Sequence, residues 1–114
     1  MISGIIYAII DDEYFYIDST TQSLELRMNQ HIIDSKRESH KGSKLYKYIN
    51  EIRGSWKDII YITLEEVECE NIDQLKNIEY KYIEKYKKDN NCLNTIKNKK
   101  HEYVVRYIRN KKYK

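Results

Sequence analysis

Two β-prone runs, Ile5-Ile6-Tyr7-Ala8-Ile9-Ile10 and Glu13-Tyr14-Phe15-Tyr16-Ile17, stand near the start of the chain with only Asp11-Asp12 between them. Strands this close have no room for a crossover, so they must fold back as an antiparallel hairpin. Everything that follows has to extend or cover that hairpin. With Asp11-Asp12 as the loop, Ile10 faces Glu13 and Tyr7 lies directly across from Tyr16, their Cβ atoms ~5 Å apart. Asp18 then follows two residues along on the Tyr16 face. A one-residue slip in the turn would send each side chain to the other face and break this pairing.

Ser19-Thr20-Thr21 offers N-cap hydroxyls for a helix over residues 22–35, with an apolar stripe of Leu24, Met28 and Ile32 flanked by Ile33. Arg27 and His31, four apart, project from one edge of that stripe. A polar connection leads to a short helix over 44–53 carrying Leu45, Tyr48, Ile49 and Ile52, with Gly54 suited to its C′ position. Ile59-Ile60-Tyr61-Ile62-Thr63-Leu64, inside the stretch from Trp56 to Val67, reads as a third strand beside the hairpin. The clearest helix runs over 71–88, opening after Asn71. At about 100° per residue Ile78, Tyr82, Leu75, Tyr86, Ile72 and Ile83 share one arc, and Glu79 falls inside it. A carboxylate on a packing face must be paired, protonated or bound to a metal. The pattern predicts an α+β domain: a small three-stranded antiparallel sheet flanked by helices.

The chain has 114 residues, one domain's worth, of which 40 % are hydrophobic and 34 % charged. With a mean hydropathy of −0.84 it has no stretch to span a bilayer. The N-terminus lacks a basic n-region, which argues against secretion and for a soluble intracellular protein. Cys69 and Cys92 cannot form a disulfide framework and lack the paired spacing of a zinc ribbon; together with His31, His40 and His101 they offer the residue types of a metal site, although scattered Cys and His are usually not one. Tyr, Ile, Lys and Asn all have AT-rich codons, so the twelve tyrosines carry weight by position rather than by number.

The net charge of +3 is unevenly spread. Residues 97–114 hold eight Lys or Arg against Glu102 alone, a net +7, which leaves −4 for residues 1–96. Within that tail Lys99, Lys100, Arg106, Arg109, Lys111 and Lys112 interleave with Tyr103, Tyr107 and Tyr113, a mixture suited to nucleic acid by charge and stacking. Val104, Val105 and Ile108 give the tail one apolar face. The division is a domain over 1–97 and a basic C-terminal tail over 98–114.

A hairpin with two tyrosines, a helix with an Arg, a later helix with one inward Glu, and then an Asn form an ordered set. Across about residues 4–97 it resembles the GIY-YIG nuclease superfamily. The first motif reads Gly4-Ile5-Ile6-Tyr7, with Ile5 in the usual Gly place, and the second reads Tyr16-Ile17-Asp18. Arg27 and His31 match the helical Arg and the His or Tyr four residues on. Glu79 matches the metal-binding Glu, and Leu93-Asn94 the closing Leu-Asn.

The resemblance implies phosphodiester hydrolysis in DNA assisted by one Mg²⁺ or Mn²⁺ ion. Glu79 would hold the metal, in keeping with the few carboxylates Mg²⁺ takes. Arg27 would clamp a phosphate oxygen. Tyr16, with Tyr7 beside it, would act as general base or orient the attacking water, its pKa lowered by Arg27 and the metal. His31 would relay or accept a proton, and Asn94 would support the site or hold a backbone contact.

Asp18 departs from the pattern, which has Gly there. At ~5 Å and an effective dielectric near 20, its charge repels a phosphate by about 3 kcal/mol, roughly a hundredfold in rate. Alternatively it joins Glu79 as a metal ligand, or turns toward the Thr20 cap. The alternative function is a catalytically silent nucleic-acid-binding module with the same fold, and a weaker third is a protein-interaction domain whose tail binds an acidic partner. So small a domain has little room for base readout, so low intrinsic specificity or a partner protein that supplies it is expected.

Overall fold

A computed structural model of the chain describes residues 1–40, 43–87 and 91–94. The 98–114 tail, with Lys99, Lys100, Arg106, Arg109, Lys111 and Lys112, lies outside the described residues.

Strands β1 (Ile2–Asp11), β2 (Tyr14–Thr20) and β3 (Ile60–Cys69) form one antiparallel sheet in the order β2-β1-β3. The hairpin forms, but with its register displaced by two residues from the sequence expectation. The loop is Asp12-Glu13, Asp11 pairs with Tyr14, and Tyr7 lies opposite Asp18 rather than Tyr16. Asp12 takes a φ of 57°, a left-handed conformation that Asp tolerates better than most residues. Asp11 stays in the strand because its carboxylate accepts the Tyr48 hydroxyl and pairs with Arg53 at 3.1 Å. A shift of two keeps every side chain on its expected face, so Tyr7, Tyr16 and Asp18 still share one.

Helix α1 (Leu24–Asp34) is capped by Ser23, whose Oγ accepts the Leu26 amide at 3.3 Å. The expected cap at Ser19-Thr20-Thr21 is wrong because Ser19 and Thr20 remain in β2, paired with Ile6 and Ile5. The buried side of α1 is Met28 and His31, while Ile33 is 51 % exposed, so His31 belongs to the packed face rather than its edge. Helix α2 (Lys44–Lys47) runs into a π-helical turn, Tyr48–Arg53, which ends at Gly54 with φ 84°. That turn buries Tyr48 and Ile49 but leaves Ile52 74 % exposed, because five-residue spacing rotates Ile52 off the face an α-helix would give it. Helix α3 (Ile72–Tyr86) begins after Asn71, whose side chain caps the Gln74 amide at 2.9 Å.

The alternation of the strands divides the core between the two faces of the sheet. On one face Tyr7 and Ile9 pack with Met28, Leu45, Tyr46, Tyr48 and Ile49 from α1, α2 and the π-turn. On the other, Ile6, Ala8 and Ile17 pack with Cys69, Leu75 and Ile83, beneath α3. Gly4 lets α3 approach closely: a Cβ there would lie 2.6 Å from Leu75 Cδ1. A β-bulge between the Ile6–Glu65 and Tyr7–Thr63 pairs leaves Leu64 without a partner across from β1. Residues 91–93 add to the outer edge of β2 through Phe15 N to Asn91 O and Leu93 N to Phe15 O. Among the described residues no helix is long and apolar enough to cross a membrane, and Cys69 and Cys92 are both free and buried.

Candidate functional site

Tyr7, from the central strand, is wholly buried, and its hydroxyl is the hub of a polar cluster under α1. It lies 2.6 Å from His31 Nε2, accepts from Arg27 Nε at 3.2 Å and lies 3.2 Å from Asp18 Oδ2. The same Asp18 oxygen accepts the Tyr16 hydroxyl at 3.1 Å and Arg27 Nη2 at 3.0 Å. Its other oxygen accepts the Ser19 amide at 2.8 Å and lies 3.8 Å from Lys76 Nζ. Asp18 therefore points into the site and not toward Thr20.

Glu79 comes from α3, on the opposite side of the sheet, and is 1 % exposed. It meets the cluster at the β2 edge, where neighbouring strand residues face opposite ways: Asp18 toward α1 and Ser19 toward α3. Its Oε1 accepts the Ser19 hydroxyl at 2.6 Å and the Lys76 ammonium at 3.2 Å. The inward carboxylate is thus paired, and Lys76 bridges it to Asp18.

Behind Tyr7, His31 is sandwiched by aromatic side chains. Its Nδ1 lies 2.9 Å from the Tyr46 hydroxyl and its ring stacks on Trp56. Burial, and after it the Arg27 charge, lower the His31 pKa to about 4, so the ring is neutral at pH 7. A neutral imidazole has one N–H, so the two hydroxyl contacts run in opposite senses. If Tyr7 donates to Nε2, then Nδ1–H donates to Tyr46. If Tyr7 donates to Asp18, the whole chain reverses. Tyr46, His31, Tyr7 and Asp18 form a proton path with two arrangements.

Arg27 alone does not bring the tyrosine pKa values down. Burial first, then the Asp18 charge, push Tyr7 and Tyr16 well above 10, and the Arg27 charge fails to offset this at Tyr7. Asp18 is held below the usual carboxylate range. Burial would raise it, but Lys76, the neighbouring Glu79 side chain, Arg27 and the Ser19 amide outweigh that.

Asn94 holds backbone and touches none of these groups. Its Oδ1 accepts the Ile17 amide at 2.9 Å, and its Nδ2 donates to the Ile17 carbonyl at 2.6 Å. It thereby fixes the residue between Tyr16 and Asp18. All five positions picked for chemistry, Tyr7, Tyr16, Arg27, His31 and Glu79, lie in this cluster with Asp18 at its centre.

Sequence reasoning missed Lys76, Ser19, Tyr46 and Trp56. Lys76 stands three residues before Glu79, a spacing that places the two side by side on a helix and was readable. Ser19 adjoins Asp18. Tyr46 and Trp56 carry no local signal, since only the packing of α2 and its loop brings them to His31.

The carboxylates that a divalent cation would meet here are Asp18 and Glu79. Asp18 and Glu79 offer carboxylate oxygens around the position of the Lys76 ammonium, itself a cation between two acids. Mg²⁺ takes one or two carboxylates and keeps several waters. Among the described residues no group of three or more His, Cys, Asp or Glu side chains is gathered to hold an ion. No protein-family model, curated protein or solved structure matches the chain.

Proposed function

We propose that this chain is a metal-dependent endonuclease that hydrolyses phosphodiester bonds in DNA, of the GIY-YIG kind its motifs resemble. The observation that carries the reading is the meeting of Tyr7, Tyr16, Arg27 and His31 around the Asp18 carboxylate, with Glu79 joined to it through Lys76, although the sequence separations run up to 72 residues (Tyr7 to Glu79).

Arg27 is a quarter exposed, so a phosphate arriving from solvent reaches its guanidinium. Neutral His31 is the proton acceptor available at pH 7, since both phenols are held protonated. Tyr7 passes a proton from the attacking water to Nε2 while keeping its own hydroxyl, and Tyr46 balances the far nitrogen. Tyr16 orients that water or the phosphate by donating. Glu79 would hold Mg²⁺ or Mn²⁺, which when bound would stabilise charge on the phosphate and leaving oxygen. The basic tail would draw the DNA non-specifically by phosphate charge.

Nicking of supercoiled plasmid with Mg²⁺ or Mn²⁺ tests this. Metal-dependent nicking, abolished by EDTA and by Glu79→Ala, is the expected result. A folded protein that shifts DNA but never nicks it would overturn hydrolysis. The second reading, a silent nucleic-acid-binding module, would then stand; the Asp18–Arg27 ion pair, which neutralises the phosphate clamp, favours it.

A further inference from the structure

Asp18 is bound as a ligand would be. Its carboxylate receives Arg27 Nη2 from α1 and the Tyr16 hydroxyl from its own strand, with Tyr7 from β1 and Lys76 from α3 also at hand. Of its partners only the Ser19 amide is adjacent in the chain. Donors gathered from separate elements around one carboxylate make an anion receptor, and the receptor is pre-organised. Arg27 Nε is held on the Tyr7 hydroxyl, and Tyr7 is backed by His31, Tyr46 and Trp56. Guanidinium, hydroxyl and ammonium donors serve phosphate as readily as carboxylate, because both present paired terminal oxygens carrying charge.

We propose that these donors form a phosphate-binding site which Asp18 occupies as a built-in competitor, so that the chain binds phosphate weakly until that carboxylate is removed or displaced. The proposal rests on the reading that this site receives a phosphate, and it adds what limits that event. A tethered group competes at an effective concentration of about millimolar or more, so only a ligand bound more tightly than that displaces it. Removing the charge also removes its repulsion toward the incoming anion.

The test is titration of the full-length protein with inorganic phosphate in EDTA, by calorimetry and ³¹P line broadening. So small an anion reports little on the basic tail. Asp18→Gly empties the position, and Asp18→Asn keeps the shape and removes the charge, covering the case in which the glycine variant does not fold. Both are expected to bind phosphate at least about tenfold more tightly than the wild type. Adding Arg27→Met to either should abolish the gain. Folded variants with unchanged phosphate affinity would overturn the proposal, as would a gain that survives Arg27→Met. Tighter phosphate binding by the variants, alongside a wild-type protein that nicks no plasmid under any metal, upholds this inference and removes the hydrolytic reading instead.

Discussion

The two faces of the sheet share the same strands yet differ in kind. Beneath α3 the even-numbered residues of β1 meet aliphatic side chains: Ile6 and Ala8 against Leu75 and Ile83. Beneath α1 the odd-numbered residues include Tyr7 and meet Arg27, His31 and, across the hairpin, Asp18. A buried polar network is costly unless every member is satisfied, and here each member of the cluster has a partner. The comparison teaches that the strand centre beneath α3 is purely apolar packing, whereas beneath α1 an apolar cluster of similar size also holds buried charged groups in place.

The largest effect should come from the aliphatic face. Leu75→Ala removes a fully buried side chain and is expected to cost about 2–5 kcal/mol, lowering Tm by roughly 10 °C or more. Thermal unfolding measures it, and protein still folded at low temperature should keep its phosphate-site chemistry. A loss of stability under 1 kcal/mol would break the contrast.

Acid should act on the polar face. His31 has a pKa of about 4 when folded, against 6.5 unfolded, so between those values the unfolded chain binds the extra proton. Its contribution is intact above pH 6.5 and lost as pH falls through 4, on the order of 3 kcal/mol in all. Asp18, depressed in the fold, adds its own loss only below the unfolded carboxylate range near 3.8. Urea unfolding at several pH values should show the first window in the wild type and not in His31→Gln.

Gly4→Ala sharpens the contrast from the aliphatic side. The new methyl meets Leu75 at 2.6 Å, and overpacking of this kind costs about 1–3 kcal/mol. Its effect should be one of stability, with nicking per folded molecule unchanged. Tyr7→Phe is the counterpart from the polar side, costing about 1–3 kcal/mol as His31 and Arg27 lose a partner. Nicking should be lost here in molecules that remain folded. Equal losses of activity in the two variants would erase the distinction between the faces.

Much of the architecture was legible because it depends on local pattern. The hairpin, the third strand, the Asn71 cap and the inward turn of Glu79 follow from alternation, capping and helical period. The turn itself was misread because Asp11 and Asp12 are chemically alike. What separates them is tertiary: Tyr48 and Arg53 reach Asp11 and leave Asp12 to make the turn. The Ser23 cap was missed for a similar reason. Ser19 and Thr20 look like caps locally, but pairing with β1 keeps them in the strand. His31 looked like a helix edge until α2 and Trp56 covered it.

The sequence by itself determined which residues share a face, since a period of two in strands and 3.6 in helices follows from covalent geometry. It also determined the order in which Tyr7, Tyr16, Arg27, His31 and Glu79 enter the fold. Only the tertiary structure decided that Asp18 fills the space among them, that Lys76 bridges the two carboxylates, and that His31 is neutral and the tyrosines protonated. Burial and charge at a point depend on every element converging there, and the residues that set them lie far apart along the chain.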